Sequence, residues 1–279
     1  MPNLVTVVGR NTHILPHMLK HYEDKVDKKY IVVYRQDEND GILDEIEELG
    51  ITPFKVVTEP KFNWNKVTEL YNEVKLTKPN EWWIVADDDE LQVYPDDIEN
   101  IIKHCESKGY SFVTGGFLDR LGKYGTFPKV ERETDIHKAF PLAGFFRYPM
   151  SKACPNKVTL MKGSQKVSPG QHYALFDDGT NSWGKKHLKR MPVEECFVQV
   201  HHFKWDSTCI ERIKEVADNK KDYSFSDEYR IMYEAIKDSH WKIDINNSEF
   251  LVENLKNFSY INYEDYTNWD KLTSKIISI

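Results

Sequence analysis

Short apolar runs alternate with segments of helical period through the first third of the chain. Leu4 to Val8 is a β-rich run that ends in Gly9-Arg10-Asn11, and the next stretch carries Ile14, Met18, Leu19 and Tyr22 at helical spacing. Tyr30 to Tyr34 predicts a second buried strand, Gly41 to Leu49 a helix closed by Gly50, and Pro53 to Val57 a third strand. Asn63 is placed to cap a helix running through Val67, Leu70, Tyr71 and Val74, and Trp82 to Ala86 reads as a fourth strand. Strands and helices alternating at this spacing predict right-handed βαβ units, hence an α/β fold with a mixed, mostly parallel sheet flanked by helices. Ligands of such sheets bind beyond the carboxyl ends of the strands. Gly9-Arg10-Asn11, Tyr34-Arg35-Gln36 and the acids after Ala86 all fall at that edge.

Pro95-Asp96-Asp97 opens a further helix that ends near Lys108-Gly109. After Tyr110 the texture changes to strands at Ser111 to Phe117, Ala139 to Phe146, Lys157 to Met161 and Phe197 to His202, separated by Gly, Pro and charged loops. From Thr208 the pattern is helical again, with Ile210, Ile213 and Val216 on one face and a second helix from about Asp227 to Ile236. No period is readable from Asn246 to Ile279. The expected organisation is a catalytic domain over residues 1–206 with a helical extension, 207–279, packed on it.

The 279 residues suffice for a sizeable core, and a formal net charge of -7 argues against the basic footprint of a nucleic-acid binder. The four cysteines, Cys105, Cys154, Cys196 and Cys209, are scattered without a Cys-x-x-Cys pair, which suggests reduced thiols and a cytoplasmic setting. No leader-like segment precedes the first strand and no apolar stretch reaches membrane-spanning length, so no membrane span is expected. Glycine-rich dinucleotide and P-loop signatures, the Gly-x-Ser-x-Gly elbow and the His-Glu-x-x-His helix are all missing from the sequence. What remains is a nucleotide-binding-like sheet whose phosphate handling would rest on a metal held by acids.

The chemistry concentrates in Trp82-Trp83-Ile84-Val85-Ala86-Asp87-Asp88-Asp89-Glu90, a buried-type strand that delivers four acids at its end. Carboxylates a few Å apart repel by about 1 kcal/mol even at bulk-water screening, and a bound cation would relieve them. In extended backbone Asp87 and Asp89 point together and Asp88 away, and two carboxylates on one spot suit Mg²⁺ or Mn²⁺. One histidine of the pair His201-His202, at the end of a later strand, could complete the set. His172, just after the Pro169-Gly170 turn, could contact phosphate or acceptor.

These residues resemble the GT-A-fold glycosyltransferases, near family-2-like and family-92-like members and the small enzymes of large algal viruses. The resemblance rests on Trp83 to Leu91 as strand plus Asp-x-Asp-Glu, on Phe62 to Asn72 before it, and on His201-His202-Phe203-Lys204, and covers roughly residues 3 to 215. It implies a nucleotide-sugar donor, expected to be a UDP-sugar, whose diphosphate is bridged by Mn²⁺ or Mg²⁺ on Asp87, Asp89 and a late histidine, His202 ahead of His201. It implies Arg10, Asn11, Arg35 and Lys66 as donor contacts, beside Asp87 and Asp88.

An inverting reaction needs a carboxylate to accept the acceptor's proton. The family's placement of that base implies Asp178, then Asp177, with Glu90 as competitor. No Gln-x-x-Arg-Trp element is present, which disfavours a polymer synthase. Trp183 and Trp205 join His172 as acceptor-binding candidates, since sugar faces stack on aromatic rings. The expected activity is transfer of one sugar to a glycan hydroxyl. The alternatives are a metal-dependent nucleotidyltransferase or phosphodiesterase using Asp87, Asp88 and Asp89, and a non-catalytic carbohydrate-binding protein.

Overall fold

The computed structural model describes residues 1–10, 12–144, 156–176, 189–219, 223 and 225–245. Of these, residues 1–116 and 156–200 form one compact unit, and residues 117–144 and 201–245 a second.

The first unit opens with β1 (Asn3–Val8), α1 (Leu15–His21), β2 (Lys29–Arg35), α2 (Ile42–Glu48), β3 (Lys55–Thr58), α3 (Trp64–Leu76) and β4 (Trp82–Val85). β1 lies between β2 and β4, parallel to both, with Val5 opposite Tyr30 on one side and Val85 on the other, and β3 runs parallel to β2. The order β3-β2-β1-β4 means that the chain moves outward from β1, then returns to its other side. Open α/β sheets hold ligands at such a reversal, beyond the strands' carboxyl ends. All six residues of β1 are buried, as expected of a central parallel strand, whereas β3 alternates half-buried and exposed positions, as an edge strand does.

Next come β5 (Glu90–Val93), α4 (Ile98–Lys108), β6 (Phe112–Leu121), α5 (Ile136–Ala139), β7 (Leu142–Gly144), β8 (Asn156–Lys162), β9 (Lys166–Val167), β10 (Ala174–Leu175), β11 (Val198–His202), α6 (Ser207–Asn219) and α7 (Ser226–Ile236). Beyond β4 the sheet continues as β8-β6-β11-β5, and β8 is antiparallel to both β4 and β6, so the sheet is mixed. β9 and β10 make a separate antiparallel ribbon.

Three local departures from the sequence pattern have physical causes. The strand expected from Ala139 begins instead at Leu142, because Asp135 caps a helical turn over Ile136–Ala139; residues 145 and 146 lie outside the described region. β5 is hidden in the sequence because it starts on a glutamate, yet Glu90 is fully buried. β6 runs on to Leu121 through Asp119 and Arg120, both buried polar residues.

α3 follows its sequence signals closely. The Asn63 side chain accepts from the backbone N–H groups of Asn65 and Lys66, and Leu70, Tyr71 and Val74 pack against Val5, Val7, Val32 and Tyr34. Each such side chain, fully buried, is worth about 1.5–3 kcal/mol. A Cβ at Gly9 would approach the Tyr34 carbonyl oxygen to 2.8 Å, so the close approach at the end of β1 requires glycine.

In the second unit Leu121, Phe127, Trp205, Cys209, Ile213 and Val216 form a core with Tyr229, Met232 and Ile236 of α7. Among the described residues no helix is long and apolar enough to cross a membrane, and Cys105, Cys196 and Cys209 are buried free thiols.

Candidate functional site

The acids after β4 do not continue as extended chain. Asp88 and Asp89 occupy a turn closed by the Glu90 N–H donating to the Asp87 carbonyl at 3.1 Å. The two-residue alternation expected to align Asp87 with Asp89 is therefore broken, and Asp87 and Glu90 are the carboxylates that converge. They meet on Lys157, whose ammonium lies 3.0 Å from Asp87 Oδ2 and 2.7 Å from Glu90 Oε1. Glu90 Oε2 also accepts from the Asp87 N–H at 3.2 Å. The repulsion of the acidic run is thus relieved in part by a lysine of the fold itself.

Lys157 is 1% exposed. Burial alone would push its pKa down, but Asp87 and Glu90 outweigh that and hold it above the ordinary lysine value. Its ammonium also donates to the Gly170 carbonyl at 3.0 Å and to Gln171 Oε1, which fixes the turn after β9. Gln171 sits in that turn at φ +53°, a left-handed conformation unusual for a residue with a side chain.

Tyr71 of α3 reaches the same place from above. Its hydroxyl lies 2.9 Å from Asp87 Oδ1 and 3.0 Å from the Ala86 carbonyl oxygen, and it accepts from the Val7 N–H at 3.2 Å. Burial and the adjacent Asp87 raise its pKa well above the usual phenol value, so it acts as a hydrogen-bonding group and not as an acid at neutral pH. Neither Lys157 nor Tyr71 is singled out by the sequence pattern as a partner of Asp87. A readable signal existed for the lysine: a cation inside the apolar strand Asn156–Lys162 needs a carboxylate partner.

The remaining predicted residues divide by location. His172 joins the cluster through its turn; Nδ1 donates to the Asn156 carbonyl at 2.8 Å, and burial together with Lys157 lowers its pKa to about 4. It is neutral at physiological pH, with Nε2 as the acceptor nitrogen. Arg35 is turned onto its own neighbourhood, donating to Thr58 Oγ1 at 3.2 Å and to the Glu38 carbonyl at 2.8 Å. Lys66 pairs with Glu69 at 3.5 Å, and Arg10 is exposed at the end of β1. Asn11, Asp177, Asp178 and Trp183 lie outside the described residues.

Three expectations are corrected by burial and bonding. Glu90 is fully buried and engaged by Lys157 and a backbone N–H, so it offers no carboxylate to an acceptor hydroxyl. Trp205 is a core residue of the second unit, 2% exposed, donating from Nε1 to Asp119 Oδ1 at 2.8 Å, and presents no face to a sugar. His201 is fully buried and its Nδ1 lies 3.0 Å from Arg120, which can only donate. Nδ1 is thus the acceptor, Nε2 carries the proton, and no lone pair is left for a metal. In His202, by contrast, Nδ1 donates to Asp119 Oδ1 at 2.9 Å, and the ring stacks on Phe117.

Among the described residues no group of three or more His, Cys, Asp or Glu side chains is gathered as a metal site. The residues at the turn nevertheless suit a hard cation by donor chemistry. Asp87 and Asp89 are both half-buried carboxylates of one turn. An all-oxygen set of this kind matches Mg²⁺ or Mn²⁺.

The chain is thus a mixed α/β protein with a charged cluster at the switch point of its sheet. No protein-family model and no curated protein matches the sequence. Among solved structures it is similar to S. aureus TarS, at 10% identity and a TM-score of 0.32, over 83% of this chain and 42% of that one. The chain therefore spans less than half the length of that TarS chain. TarS 1-349 in complex with UDP-GlcNAc gives 10% identity and a TM-score of 0.33, covering 84% of this chain and 71% of that one. A 4-diphosphocytidyl-2C-methyl-D-erythritol synthase gives 13% identity and 0.28, covering 58% of this chain and 76% of that one.

Proposed function

We propose that the protein is a GT-A-type glycosyltransferase that moves one sugar from a nucleotide-sugar donor, a UDP-sugar, to a glycan hydroxyl with the help of Mn²⁺ or Mg²⁺. The observation that carries this reading is the Asp87–Glu90 turn, standing at the carboxyl end of β4 beside β1 in a β3-β2-β1-β4 sheet. The same sheet lacks a glycine-rich phosphate loop after β1. Diphosphate charge at this edge then has to be met by a cation, and Asp87 and Asp89 are the residues that would hold one. When bound, the ion supplies a Lewis acid for the departing nucleoside diphosphate.

The chain's own residues do the rest. Tyr71 and Lys157 fix Asp87, and Asp89 stands half-buried two residues on in the same turn. Asp178, ahead of Asp177, is the proposed base for the acceptor proton. The test is calorimetric titration of the full chain with nucleoside diphosphates and Mn²⁺, followed by sugar release from the matching nucleotide sugar. Asp89→Ala is expected to lower Mn²⁺-dependent binding at least tenfold and to melt like the natural chain. Undiminished Mn²⁺-dependent binding in that variant overturns the metal role, and a natural chain that binds no nucleotide overturns the reading.

A further inference from the structure

The turn after β9 carries a residue whose backbone and side chain make opposite demands. Pro169-Gly170 forms a tight turn closed by the Gln171 N–H donating to the Ser168 carbonyl at 2.9 Å, with Gly170 at φ +69°, as such a turn requires at its third position. Gln171 follows at φ +53° and is 2% exposed. Glycine and asparagine adopt a left-handed backbone readily, whereas a long side chain adopts it at a cost. Strain of this kind persists only where the surroundings enforce it.

Here they do. The Ser168 N–H donates to the Tyr173 carbonyl at 2.9 Å and the Tyr173 N–H to Ser168 Oγ at 3.0 Å, which closes the loop across Gln171. On one side Asn72 of α3 accepts from the Val167 N–H at 2.9 Å, and on the other His172 Nδ1 donates to the Asn156 carbonyl at 2.8 Å. Asn156 is the neighbour of Lys157 in β8, so one framework sets the tip of Gln171 against the Lys157 ammonium. Two oxygens of the acidic turn and two of this turn meet that ammonium: Asp87 Oδ2 at 3.0 Å and Glu90 Oε1 at 2.7 Å, then the Gly170 carbonyl at 3.0 Å and Gln171 Oε1. An ammonium has three protons, so what it gives to one turn it withholds from the other.

We infer that Gln171 is a positioning residue: with the Gly170 carbonyl it draws the Lys157 ammonium away from Asp87, so that this carboxylate is gripped less tightly by the fold and yields more readily to a divalent cation. The left-handed backbone keeps Oε1 where that pull is exerted. The inference rests on the reading of Asp87 as a cation ligand and adds the residue that sets how strongly Lys157 competes for it. Three substitutions separate the side chain's tip from its backbone. Gln171→Met keeps the length and the strain and removes the acceptor; Gln171→Glu keeps the shape and pulls harder on Lys157; Gln171→Asn suits the backbone but is one methylene shorter, so its carbonyl draws back from the ammonium.

The experiment titrates the natural chain and the three variants with Mn²⁺ alone and with Mn²⁺ at a fixed concentration of UDP. Melting curves of the metal-free chains establish which variants are folded, and Gln171→Asn carries the comparison if Gln171→Met does not fold. Gln171→Met and Gln171→Asn are expected to weaken Mn²⁺ about 3- to 10-fold, the size of one hydrogen bond, and Gln171→Glu to tighten it by a similar factor. The opposite signs are what a purely structural role does not produce. Mn²⁺ affinity unchanged in Gln171→Met and Gln171→Asn overturns the positioning role and leaves the proposed function standing. Weaker binding in all three variants overturns it as well, since that marks a distorted turn. A natural chain that binds Mn²⁺ neither alone nor with UDP overturns both.

Discussion

Two lysines of the first unit are buried to the same degree and live in opposite electrostatic surroundings. Lys157, 1% exposed, has two carboxylates and a pKa held above the ordinary value; Lys75, on α3 and fully buried, has the Gln165 carbonyl and the Met161 sulfur at 3.2 Å, and burial lowers its pKa to about 7. Burial is therefore not what decides the charge of an interior amine. The neighbours decide it. Where carboxylates are supplied, the ammonium persists and organises a site; where only neutral acceptors are supplied, the proton is held weakly and the charge is a liability.

The largest test breaks the first environment. Lys157→Met leaves Glu90 buried without its counter-charge and should cost about 3–5 kcal/mol in urea unfolding. Lys157→Met combined with Glu90→Gln should recover part of that loss, because the uncompensated charge is gone. A double variant no more stable than the single one would show that Lys157 acts through packing and not through charge.

The second test has the opposite sign. Lys75→Met removes an ill-compensated amine and should stabilise the protein by about 2 kcal/mol at neutral pH. Folded, Lys75 gives up its proton near pH 7; unfolded, it does so near the ordinary value of about 10.4. Between those values the unfolded chain binds more protons, so this group makes stability rise from pH 7 toward pH 10. Below pH 7 both forms are protonated and the cost of the buried charge is fully present. The rise should vanish in Lys75→Met, and its persistence would assign the pH dependence elsewhere.

The smallest effect sharpens the contrast. Asn72 binds Val167 twice, donating to its carbonyl at 3.1 Å and accepting from its N–H at 2.9 Å, and so pins to α3 the hairpin that carries Gln165. Asn72→Ala should cost about 1 kcal/mol. By admitting water near Lys75 it should also return part of that amine's pKa toward the ordinary value, flattening the pH profile. A cost with no change in the profile would mean that Lys75 is shielded independently of this hairpin.

Much of the parallel sheet was legible because its signals are local. Leu4 to Val8, Tyr30 to Tyr34 and Trp82 to Ala86 are apolar runs of strand length, and Asn63 caps α3 by hydrogen bonds to residues two and three positions on. The acidic run at the end of β4 was legible as a cluster of charge for the same reason. Its internal arrangement was not, because Asp87 and Glu90 are brought together by a residue 70 positions from Asp87 in the chain.

The sequence by itself determined the βαβ rhythm, the ends of the parallel strands, and the acids after β4, since each depends on side-chain period and capping within a few residues. Tertiary structure alone decided which carboxylates meet, which lysine keeps its charge, and that His201 is buried against Arg120 while His202 binds Asp119. Those outcomes depend on contacts between distant segments, which no local pattern encodes.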